Sequence, residues 1–72
     1  GAGEYEMAVS GMAVPADVVG RSLRESDFRR LHGEVIAVQT WKGEVLSPPD
    51  PNRALQREDL LIVLPRDGGV KE

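Results

Sequence analysis

Leu55-Gln56-Arg57-Glu58-Asp59-Leu60-Leu61-Ile62-Val63-Leu64-Pro65 is the stretch on which the fold turns. Leu60–Leu64 is the one uninterrupted run of large aliphatic residues in the chain. A short apolar run bounded by turn signals reads as a strand covered on both faces, because a half-exposed strand would alternate. Ile62 and Val63 are β-branched, and Pro65 ends the run by withholding a backbone donor. Five residues between Asp59 and Pro65 are too few for a buried helix. The run is therefore the central strand, and the rest of the chain is its cover.

Upstream of it, Glu4–Ser10 alternates strictly, with Tyr5, Met7 and Val9 on one side, which predicts a half-buried strand. Gly11 reads as a bulge before Met12–Val14 continue to Pro15. Ser22-Leu23-Arg24-Glu25 fits a capping box, and Asp27 offers a second N-cap for Phe28–His32, with Gly33 as a left-handed C-cap. Leu23, Phe28 and Leu31 would face the sheet. Val35–Trp41 is rich in β-branched residues, and Lys42-Gly43 turns it back into Glu44–Ser47, a β-hairpin. Pro48-Pro49-Asp50-Pro51-Asn52 is then a rigid extended connector into Leu55. The order defines an α+β domain: four short strands in a small curled sheet with one helical insertion.

At 72 residues the chain holds one domain at most and buries a thin core, so pairing into a homodimer is the natural means of adding stability. It has no cysteine and a single histidine, which excludes disulfides and zinc sites built on thiolates or paired histidines. A net charge of −3 and one each of Trp, Tyr and Phe argue against a nucleic-acid polymer as partner. No apolar run approaches the ~20 residues of a bilayer span, so any membrane association would come through a parent protein. Gly1-Ala2-Gly3 reads as an expression scar, residues 4–65 as the domain, and residues 66–72 as a tail or the start of a truncated terminal helix. No nucleophile stands at a defined spacing from a base, and no glycine loop cradles phosphate, so an enzyme is not expected.

Several pieces, taken in order, resemble the RCK C-terminal domain, also called the TrkA-C domain. They are Gly20-Arg21-Ser22-Leu23, Asp27-Phe28-Arg29-Arg30, Val35-Ile36-Ala37-Val38, Lys42-Gly43-Glu44-Val45, Pro49-Asp50-Pro51, and Leu55 with Asp59–Val63. Glu58 and Pro65 stand where the family usually has glycine, and the link from Gly33 to Val35 is one residue shorter than usual. The resemblance implies a β-X-β-β-X-β-(α) pseudo-barrel that pairs about a twofold axis. It implies a cytoplasmic regulatory domain of a potassium or other monovalent cation transporter or channel, attached to the pore. Its effector would be cyclic di-AMP, another nucleotide or a divalent cation. The alternative is a purely structural dimerisation module with no small ligand.

On that reading Arg29 and Arg30 are the residues to meet a phosphate, since a guanidinium fork pairs with its oxygens in bidentate fashion. Phe28 and Val35 would wall the bases. The competing readings are solvated arginines paired to Glu25 or Asp27, and a Phe28 that belongs to the core. No metal site is assigned: Glu58, Asp59 and Asp50 read as turn formers, and His32 as a surface residue at a helix end. Trp41 is either an interface anchor or a cross-strand packing residue.

Overall fold

The computed structural model describes residues 9–66. It contains β1 (Ser10–Ala13), α1 (Leu23–Ser26), α2 (Phe28–His32), β2 (Glu34–Gln39), β3 (Val45–Leu46) and β4 (Leu60–Leu64). The strands form one sheet in the order β1-β4-β2-β3, every neighbouring pair antiparallel. The aliphatic run is central, as expected, and the fold class is α+β. The expected strand over residues 4–8, the scar at residues 1–3 and the tail at residues 67–72 lie outside the described residues.

Residues directly opposite across an antiparallel pair share a face. Leu61 therefore shares the inner face with Met12 and Val38, and Val63 shares it with Val35. Phe28 from α2, Leu55 from the crossover, and Val14 and Val18 from the first loop close over this face. Phe28 and Leu61 are 1% and 0% exposed. Full burial of each such side chain contributes about 1.5–3 kcal/mol, which outweighs the weak helical preference of two single-turn helices.

The other face corrects one expectation. The burial of β4 alternates, and Leu60 on the outer face is 38% exposed. Leu23 and Phe28 of the helices pack on the inner face. On the outer face Leu60 lies between Ala13 and Gln39, Ile62 between Gly11 and Ala37, and Leu64 beside Glu34. An aliphatic run thus marks the central position without guaranteeing two covering layers.

The turns are built by side chains. Ser22 and Glu25 make the full capping box, each accepting from the other's backbone N–H at 3.1 and 3.0 Å. The Ser22 bonds lower the Glu25 pKa, with a smaller push from the charge of Arg21. Asp27 makes no cap bond. It adopts φ +53° as the hinge between α1 and α2, and its carboxylate accepts from Arg30 instead. Asp59 pins the approach to β4, accepting from Gln56 N at 2.8 Å and from both Nη atoms of Arg53 at 2.7 and 3.2 Å.

Other expectations fail for local reasons. Gly11 sits in regular register with Ile62, so it is no bulge; the irregularity lies in β2, between Val35 and Ala37. Gly33 has φ +119° and ψ 179°, not a left-handed cap, because it turns α2 straight into an extended strand. Leu31 is exposed, since a helix of five residues turns only one side chain fully inward. Trp41 is 70% exposed with the Lys42 ammonium 5.3 Å from its ring, so it does not pack across the hairpin.

Candidate functional site

A cleft of about 740 Å³ lies between the two helices, the start of β2 and the proline-rich connector. Its shape follows from the turns around it. The capping box starts α1, and Arg24 N donates to Pro51 O at 3.0 Å, fastening that helix to the connector. On the opposite side Ser47 Oγ donates to Ile36 O at 3.1 Å, joining the connector to β2.

The bulge in β2 supplies the wall. Ile36 is the extra residue between Val35, paired with Val63, and Ala37, paired with Ile62. A bulge re-aims the side chain it carries, and Ile36 is left 39% exposed, lining the cleft. Pro48 and Pro49 face it from the connector, and Leu23 and Phe28 complete an apolar surface. The charged rim consists of Arg24 and Arg29 with Asp27 and Glu34. An apolar cavity of this volume with a few convergent charges is the usual form of a small-ligand site.

Of the residues expected from sequence, Phe28, Arg29 and Val35 line this cleft. Phe28 and Val35 do so from the core, of which both are members. Arg30 lines a neighbouring pocket instead, paired with Asp27 on the surface. The cleft also recruits residues that sequence reasoning missed. A bulge at Ile36 is invisible in a β-branched run. The sequence marks Pro48, Pro49 and Pro51 as a connector, with Pro49 and Pro51 in a piece of the resemblance, but not as lining of a site. Arg24 and Glu34 flank recognised pieces, and their convergence depends on how α1 and β2 cross. Among the described residues no three acidic or histidine side chains gather to hold a metal ion. Asp50 Oδ1 accepts from Asn52 N at 2.9 Å, and Asp59 binds Arg53 and Gln56, so both perform turn duty. The His32 ring lies with its centroid 4.6 Å from that of Phe28, tilted by 37°.

No protein-family model and no curated protein sequence matches the chain. Solved structures do. One is the RCK C domain of the potassium transport protein KtrA in complex with cyclic di-AMP, at 28% identity and TM-score 0.75, covering 89% of this chain and 75% of that one. A second is the RCK_C domain dimer of S. agalactiae BusR in complex with cyclic di-AMP, at 15% identity and TM-score 0.71, covering 86% and 79%. A third is S. agalactiae BusR in complex with its busAB-promotor DNA, at 16% identity and TM-score 0.72. It covers 90% of this chain and 33% of that one. The chain shares the fold of these RCK C-terminal domains.

The third structure overturns the expectation that nucleic acid has no place among the partners of such a domain. BusR carries this fold and is bound to promoter DNA. The fold spans one third of that chain, so a partner of the whole protein need not touch the domain, and the charge of 72 residues does not report on it. Among the described residues no helix is long and apolar enough to cross a membrane.

Proposed function

We propose that this is a regulatory ligand-binding domain whose cleft takes a phosphate-bearing nucleotide, cyclic di-AMP first among candidates. The attached output on this reading is a potassium or other monovalent cation transporter or channel. The observation that carries it is the cleft itself: an apolar wall from Phe28, Ile36 and Pro49 beneath an arginine rim, in a fold shared at 28% identity with a KtrA domain bound to that dinucleotide. The wall suits the faces of bases, and the guanidinium of Arg29 suits phosphate. A symmetric dinucleotide matches a twofold pair of such domains, and BusR offers an example of the pair. The domain would bias its output by binding more tightly in one state of the assembly than in the other.

The test is calorimetric titration of the 72-residue chain with cyclic di-AMP, followed by thermal unfolding. Ligand at a hundredfold excess over Kd adds about 2.7 kcal/mol, which for a domain of this size raises Tm by about 10 °C or more. Ile36→Asp, at an exposed position, should abolish binding without loss of fold. Absence of binding by wild type would refute the reading and leave a structural dimerisation module, to be recognised by a dimer in light scattering.

A further inference from the structure

The cleft continues into a second pocket of about 510 Å³ with a different chemistry. It lies where the end of α2 meets the end of β4. Gly33 makes that meeting close: a Cβ there would stand 2.4 Å from Leu64 O and 3.0 Å from Pro65 Cα. Residues far apart in sequence therefore face one space, Arg29 and Arg30 from α2 and Arg66 from just beyond β4. The carboxylates lining it are Asp27 and Glu34. Asp27, Arg29 and Glu34 line both pockets, so the two form one groove with an apolar length and a basic end.

We propose that Arg30 and Arg66, with Arg29 beside them, form a phosphate-binding subsite at this basic end, and that Asp27 guards it by holding Arg30 until a phosphate displaces it. The subsite deepens the nucleotide-binding reading of the cleft but stands on its own residues. Three guanidinium groups against two carboxylates leave a positive balance, and guanidinium forks match phosphate oxygens. The Asp27–Arg30 pair is open to water, its side chains 59% and 69% exposed. Such pairs are worth little, so a phosphate anion that engages the guanidinium in bidentate fashion displaces the carboxylate at small cost. Asp27 also holds a left-handed backbone conformation, which asparagine adopts with similar ease. Asp27→Asn therefore frees Arg30 without disturbing the hinge.

Inorganic pyrophosphate is the direct probe, followed by ¹⁵N NMR on the 72-residue chain. Saturable shifts are expected at the amides of Gly33 and Arg66 and at Nε of Arg30. Arg66→Gln and Arg30→Gln, both at exposed positions, should each weaken binding about tenfold, the loss of one charge-assisted contact. Asp27→Asn should tighten it about threefold, a gain that a merely structural aspartate would not produce. No saturable binding, or equal affinity in wild type and Arg66→Gln, would overturn the subsite. An Asp27→Asn affinity equal to or weaker than wild type would overturn the guard. Cyclic di-AMP that shifts Val35 and Ile36 but neither Gly33 nor Arg66 also overturns the subsite, while leaving the cleft reading intact. Pyrophosphate binding at Arg66 without any response to cyclic di-AMP supports the subsite and removes the cleft reading.

Discussion

Replacing Asp59 should cost this domain a large part of its stability. The side chain is 1% exposed and accepts three hydrogen bonds, two from Arg53 and one from Gln56 N. Truncating one member of a buried ion pair costs about 3–5 kcal/mol, because the other is left unpaired. Arg53 is 28% exposed and can turn to water, so the penalty falls mainly on Gln56 N–H and on the cavity. That places Asp59→Ala at about 2–3 kcal/mol, a drop of about 10–20 °C in Tm for a domain of this size. Far-UV circular dichroism is the assay; Trp41, at 70% exposure, is a poor fluorescent reporter of unfolding.

The same carboxylate predicts a pH dependence. Burial pushes its pKa up, but the hydrogen bonds from Arg53 and Gln56 N–H and the charge of Arg53 outweigh this, and the net shift is downward. Arg53 is correspondingly pushed up by its bond to Asp59. A carboxylate with a depressed folded pKa contributes stability that is present above its unfolded value and lost as pH falls through the folded one. Wild type should therefore lose stability more steeply than Asp59→Asn as pH drops below about 4. A mutant Tm within 3 °C of wild type at neutral pH, or parallel acid profiles, would refute the reasoning.

Gly33→Ala should prevent native folding or lower Tm by more than 15 °C, since its Cβ would meet Leu64 O at 2.4 Å and φ +119° suits glycine alone. Thermal melts with Gly20→Ala as comparison, where nothing lies within 4 Å of the added Cβ, will separate the clash from the backbone effect. Phe28→Ala should destabilise by about 3–5 kcal/mol, read by urea denaturation, because that ring is 1% exposed in the centre of the core. Ser22→Ala removes one half of the capping box and should cost about 1 kcal/mol, or about 4–8 °C in Tm.

Much of the scaffold could be read from residue order because its signals are local. The aliphatic run at Leu60–Leu64, the Ser22–Glu25 box and the Lys42-Gly43 turn each depend on neighbours within a few positions, and each appears where expected. Asp59 was recognised as a turn former for the same reason, but its partner Arg53 was not, since an ion pair over six residues has no fixed sequence spacing. The site was less legible. Phe28, Arg29 and Val35 reach the cleft, but Ile36 enters only through a bulge and the prolines only through the path of the connector.

Residue order alone determined that an aliphatic strand would occupy the middle of a small α+β sheet, because hydrophobic runs, caps and glycine turns act over one or two residues. Only the tertiary structure decided which face of that strand joins the closed core and which is left half-buried, and that Arg66 stands across a groove from Arg29 and Arg30. Those outcomes depend on where two distant backbones touch at Gly33, and contact between distant segments is set by packing, which no local pattern encodes.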